Sequence, residues 1–195
     1  NDLFWNYISL IFLGLGGLGL NVIIGRYYSS SILGAFNQVL VTYLLASILA
    51  SGGINFSVLK SISQNISDKK EVYSIIKGAL FGTFFLSILV TTLYILFIDF
   101  VSELFDSNYV KNGMNSISPA IIFFAFNKVF LLGIINGFQK MKAYAIYQII
   151  RYLLILISLV FCLFLSIEGE YLPIIFVYSE SLLFLILFID VSSKY

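Results

Sequence analysis

The sequence predicts an all-α membrane protein with six transmembrane helices. Three observations lead there. Of 195 residues, 60% are hydrophobic and only 11% charged, and the mean hydropathy is +1.01. Six apolar runs reach the roughly 20 residues that a helix needs to cross a bilayer. None of the runs alternates with period two, as barrel strands would.

The spans are placed at about 3–25, 34–58, 74–98, 116–138, 144–167 and 172–191. The first is too long for a signal-peptide core and is flanked by Asp2 rather than by Lys or Arg. Its Gly14-to-Gly19 stretch fits G-x-G-x-x-G formally, but no strand precedes it and no βαβ unit surrounds it. Gly14, Gly17, Asn21 and Gly25 instead share one helix face, which predicts close approach of a neighbouring helix there and leaves bending open as well. The second span carries Tyr43, Ser47, Ser51 and Asn55 at four-residue spacing. That polar stripe either bonds neighbouring helices or lines a wet cavity. Gly52-Gly53 beside it predicts tight packing or local unwinding. Between the second and third spans, Lys60–Tyr73 reads either as a short interfacial helix, with Ile62 and Ile66 on one side, or as a solvated loop. Pro119 and Pro173 suit the first turns of the fourth and sixth helices, where a missing N–H breaks no bond.

Two ionisable residues fall near the middle of spans. Lys128 follows Asn127 in the fourth, nine residues from Pro119 and nine from Gly137, too deep to snorkel easily to either surface. Glu180 lies in the sixth among Tyr178, Ser179 and Ser181. A central ionisable side chain costs roughly 2.5–3.5 kcal/mol on insertion scales, and it usually faces a bundle interior or a wet cavity. Lys128 therefore has three readings. It pairs with Glu180, it binds an anionic group such as a phosphate or an acidic sugar, or it is a charge tolerated beside local water. Glu180 is a counter-ion or a proton or cation site. Arg26, closing the first span, is an interfacial anchor or a phosphate contact at the outer mouth.

Charge in the connections sets the orientation. Lys60, Lys69, Lys70, Lys77, Lys140, Lys142, Arg151 and Lys194 fall on one side, against Arg26 and Lys111 on the other. The positive-inside rule then places both termini in the cytoplasm. The opposite side is acidic, with Asp99, Glu103, Asp106, Glu168 and Glu170. The chain begins at Asn1 and stops at Tyr195 directly after an apolar run, which is expected of a fragment.

Other chemistry is disfavoured. The chain has no His, so His metal sites and triads are absent, and no cofactor is expected. Cys162 is the single cysteine and lies in an apolar run, a packing residue by setting. A formal charge of +1 argues against nucleic acid as a partner. A lipid phosphotransferase would need clustered carboxylates inside the spans; Asp99, Glu103 and Asp106 lie outside them, where a solvated acidic loop is the plainer reading. The chain is therefore expected not to be an enzyme.

Some stretches are similar to known proteins. Leu18–Tyr28 (LGLNVIIGRYY), Ile32–Phe36 (ILGAF) and Leu49–Phe56 (LASGGINF) resemble the first two helices of the polysaccharide-biosynthesis flippases, the O-antigen and capsule repeat-unit transporters of the multidrug/oligosaccharidyl-lipid/polysaccharide exporter superfamily. Leu132–Tyr144 (LGIINGFQKMKAY) resembles the family's fourth-to-fifth helix connection. The resemblance implies that these six helices form one lobe of a two-lobe exporter fold, the amino-terminal one, with the second lobe of the same protein as its partner. It implies a location in the bacterial cytoplasmic membrane, in contact with membrane lipid. It implies translocation of an undecaprenyl-diphosphate-linked oligosaccharide. Arg26, Asn127, Lys128, Ser47, Ser51 and Asn55 are then the candidate cavity residues, and Glu180 the candidate for ion coupling. An Ala35–Leu40 echo of Ala145–Ile150 would suit an inverted repeat. The rivals are an ion-coupled multidrug exporter of the same fold, which would favour acidic cavity residues, and a structural membrane subunit without transport.

Overall fold

The computed structural model describes residues 2–194; Asn1 and Tyr195 lie outside the described residues, as do the side chains of Asp2 and Lys194 used above. All regular structure among the described residues is helical. Five helices are long and apolar enough to cross a membrane, and a bent pair makes a sixth span. The chain is an all-α, multi-pass membrane protein.

Helix α1 (Asp2–Tyr27) lies along α8 (Met141–Phe164). Lipid tails are as apolar as leucine, so helices in a bilayer associate by close packing and polar contacts. Glycines provide the closeness here, but of the expected face only Gly25 makes a close approach, its added Cβ standing 3.4 Å from Leu33. A Cβ on Gly16 would stand 3.3 Å from Tyr152, and one on Gly19 3.7 Å from Leu156, whereas Gly14 and Gly17 meet nothing within 4 Å. The Gly14–Gly17–Asn21 face is open. Its amide is satisfied locally, with Asn21 Nδ2 donating to the Gly17 carbonyl at 2.9 Å and Asn37 Nδ2 donating to Asn21 Oδ1 at 3.2 Å. Near the start of α1, Trp5 receives the Lys142 ammonium 5.2 Å from its ring centroid.

Helix α2 (Ser30–Ser51) is capped by Ser29, whose Oγ accepts from the Ile32 N–H. It stops seven residues before the expected end. Gly52 and Gly53 both take left-handed backbone angles (φ 51° and 72°), a conformation that suits glycine. The Leu86 side chain occupies the space that a Cβ on Gly52 would need. Unwinding and tight packing thus occur together. Helix α3 (Ile54–Gln64) then runs up to a short turn, and α4 (Lys69–Leu96) starts on Asp68, whose carboxylate accepts from the Lys70 and Glu71 N–H groups. The Lys60–Tyr73 segment is therefore neither a separate interfacial helix nor a loop. It holds two helix ends, with Ile62 buried and Ile66 exposed.

Helix α5 (Ile98–Leu104) leads to the fourth span, which is broken. Helices α6 (Asn108–Ile117) and α7 (Ala120–Lys128) meet at 50° across Ser118-Pro119. Proline lacks the N–H that would continue the ladder, so the bend has a local cause. Directly after Lys128 the chain widens into a π-helical segment, Val129–Ile135. Gly133 and Gly137 let α3 lie against this part of the chain: added Cβ atoms would come within 3.0 Å of Val58 and 3.0 Å of Ile62. Pro173 falls within a 3-10 segment, Gly169–Ile174, that precedes α9 (Ile175–Lys194).

The buried apolar side chains form two clusters. One holds Tyr43, Ala46 and Ala50 with Ile121, Phe124, Ala125, Ile155 and Phe176. The other holds Val58, Ala79, Val129, Leu183 and Leu187. Several buried polar residues fall where the two clusters meet: Ser51 and Asn55 on the α2–α3 rod, Thr83 and Ser87 on α4, Asn127 on α7, and Ser179 and Glu180 on α9, with Ser47 one turn inside the first cluster, whereas Ser118 and Ser158 are buried among first-cluster residues. The bundle is layered, with a polar level at mid-depth.

Candidate functional site

The mid-depth level is organised around Glu180, which is 0% exposed. Arg151 of α8 holds one carboxylate oxygen, with Nε 2.7 Å from Oε1 and a second guanidinium nitrogen on the same atom. Asn127 of α7 holds the other, donating Nδ2 to Oε2 at 2.8 Å and to the Glu180 carbonyl at 2.9 Å. Both oxygens of a buried carboxylate are thus covered, which an ion pair out of water requires. Three helices are tied at one residue.

Phe124, one turn before Lys128, receives two cations. The Arg151 guanidinium carbon lies 4.6 Å from the ring centroid and the Lys128 ammonium 5.5 Å. The quadrupole of the ring attracts both. Tyr43 of α2 meets the edge of Phe124 with centroids 5.9 Å apart and tilts against Phe176 at 5.4 Å, which fixes α2 to the site. Lys128 forms no ion pair among the described residues; the pairs there are Arg151–Glu180 and Lys111–Asp99.

These groups border a cavity of about 540 Å³ between α1, α2, α7 and α8, lined on its polar side by Tyr43, Asn127, Lys128, Gln148, Arg151 and Tyr152 and on its apolar side by leucines such as Leu13 and Leu44. Its size suits a small ligand or headgroup. Counting ionised side chains, the site holds two cations and one anion. Chemically it can offer a positively charged, partly open ammonium beside a guanidinium already neutralised by its own carboxylate.

Of the expected residues, the structure gathers Asn127, Lys128 and Glu180. Lys128 does not pair with Glu180; Arg151 of α8 takes that place. Ser47 is buried one turn from Tyr43 and does not line the cavity. Ser51 donates its hydroxyl back to the Ile48 carbonyl at 2.8 Å. Asn55 lies past the glycine break and is buried in α3, whose backbone there packs on Gly133. Arg26 ends α1, exposed and away from the cavity.

Arg151 is the residue that sequence reasoning misplaced, by counting it among the surface cations. It lies ten residues into α8, about 15 Å along the axis at 1.5 Å per residue and so close to mid-membrane. The signal was available: no acidic or polar loop separates it from Tyr152-Leu-Leu-Ile-Leu-Ile157. Without it the basic end of the bundle keeps Lys60, Lys69, Lys70, Lys77, Lys140 and Lys142, and the acidic end still has Arg26 and Lys111 alone as cations. The stripe Thr83, Ser87 and Thr91 on α4, buried beside α2, was also missed, although its four-residue spacing repeats that of α2.

Comparison with known proteins gives a match of residues 2–192 to the model of a family described as polysaccharide biosynthesis protein. No curated protein and no solved structure matches the chain.

Proposed function

The chain belongs to the polysaccharide biosynthesis protein family, and from that premise we propose that it forms one lobe of a flippase that moves an undecaprenyl-diphosphate-linked oligosaccharide to the outer leaflet of the bacterial cytoplasmic membrane. The termini lie in the cytoplasm on this reading, because the basic end faces inward. A diphosphate and its sugars cannot cross hydrocarbon unaided, so the protein must present hydrated, cationic surface at mid-depth. The observation that carries the reading is Lys128: an ammonium without a carboxylate partner among the described residues, borne on Phe124 at the wall of a cavity. Its charge is left for an anion from outside the chain. Alternating access would come from one lobe rocking against the other.

A drug exporter of the same fold would want an accessible carboxylate at this depth. The only buried carboxylate here is held on both oxygens among the described residues. Glu180 takes up a coupling proton or cation only after Arg151 or Asn127 releases it, so ion coupling would require the three-helix tie to open.

The test is flipping of a fluorescent lipid-linked oligosaccharide by the complete protein, both lobes present, in liposomes. Lys128→Ala is expected to abolish flipping and Lys128→Arg to retain it. Flipping that survives Lys128→Ala would end the assignment.

A further inference from the structure

The acidic end of the bundle holds a second cavity, which the mid-depth site does not explain. It is an open cleft of about 590 Å³. Tyr27 and Tyr28 reach it from the end of α1, Tyr109 from the first turn of α6, and Ser166, Glu168 and Glu170 from the link between α8 and the 3-10 segment. Its walls are tied together. The Tyr28 hydroxyl donates to the Ile167 carbonyl at 2.9 Å. Gly169 is pressed so closely on α2 that a Cβ there would stand 2.6 Å from Ile32 and 3.1 Å from Tyr28.

Ser166 has φ 54° in the turn that ends α8, where the Ile167 N–H reaches back to the Cys162 carbonyl at 3.1 Å. Glycine is the usual residue at such a position. The chain carries a hydroxyl there instead, at the wall of the cavity. Tyrosines at a membrane interface are common as anchors. Anchoring does not account for two carboxylates and a hydroxyl enclosing the same space as three phenol rings.

That combination matches the two sides of a sugar ring. The C–H face of a pyranose lies on an aromatic ring, and its hydroxyls donate to carboxylates, which accept on both oxygens. The negative charge of Glu168 and Glu170 repels a sugar acid and attracts an amine. We propose that this cleft is a saccharide subsite for a neutral or amino-bearing sugar and that it disfavours uronic acids. It rests on the flippase reading for its occupant, the glycan portion of the transported lipid.

The test is saturation-transfer NMR on the full chain in lipid nanodiscs, with the methyl glycosides of glucose, glucosamine and glucuronic acid as probes. Glucose and glucosamine glycosides are expected to bind, with the glucuronide at least about fivefold weaker. Tyr109→Ala should weaken binding about three- to tenfold. Ser166→Gly should also weaken it while relieving a left-handed serine, so its loss of binding cannot be put down to misfolding. Binding unchanged in both variants, preference for the glucuronide, or no binding of any of the three would overturn the proposal. Flipping by the Lys128 variants is scored separately, so failure of the subsite and failure of the flippase reading give different results.

Discussion

Arg151–Glu180 and Lys111–Asp99 are both contacts between a cation and a carboxylate, one at mid-depth and one at the acidic end. The second is short, at 2.7 Å, but its side chains are 46% and 74% exposed. Water competes for both groups and salt screens them, so such a pair contributes little to stability. The first is 16% and 0% exposed and is braced by Asn127. There the carboxylate has no water to fall back on, and removing its cation leaves a charge stranded in a medium that solvates it poorly. Distance alone does not rank the two pairs; the surroundings do. The lesson extends to Lys128, which sits at the same depth with no carboxylate and is served instead by a ring and a cavity.

The largest expected effect comes from breaking the inner pair. Glu180→Ala should cost about 3–5 kcal/mol, read as a fall in thermal unfolding temperature in detergent. The double variant Arg151→Met with Glu180→Leu should recover most of that loss, because two well-packed apolar side chains need no compensation. A double variant as unstable as the single one would show that the pair does more than neutralise itself. Next in size is Gly133→Leu, which forces a side chain into the space of Val58 and should cost about 1–3 kcal/mol; unchanged stability would mean that α3 does not lie against the π-helical segment as described. Smallest is Asp99→Asn, expected to leave the unfolding temperature almost unchanged and to lose even that small effect in high salt. A larger, salt-insensitive change would collapse the contrast between the two pairs.

The spans were legible because hydropathy sums over some twenty residues and tolerates errors at the ends. The breaks were not, because glycine and proline are ordinary in membrane helices. Gly52-Gly53 ends α2 and Ser118-Pro119 bends the fourth span, yet the glycines inside α1 leave it continuous and packed along α8. Nothing in Val129–Ile135 marks a π-helix; that widening depends on how α3 meets the chain at Gly133. Within the site, Lys128 and Glu180 stood out as charges far from any loop. Arg151 did not, because an error of three residues in where α8 begins was enough to assign it to the surface. The glycines of α1 that meet α8 were misassigned for a related reason, although Gly25 packs on Leu33 as its face predicted: the sequence offers Gly14, Gly16, Gly17 and Gly19, and only the position of α8 chooses among them.

The stacking of apolar, polar and apolar levels gives the bundle unequal cohesion along its length. Prising helices apart within either greasy block would strip methyl and ring contacts with no replacement. Parting them at the level of Ser47, Thr83 and Asn127 would offer incoming water hydroxyls and an amide oxygen, and the Thr83 hydroxyl and the Asn127 amide oxygen have no protein partner to give up. The interior therefore has a seam at mid-depth, where the bundle is easiest to part.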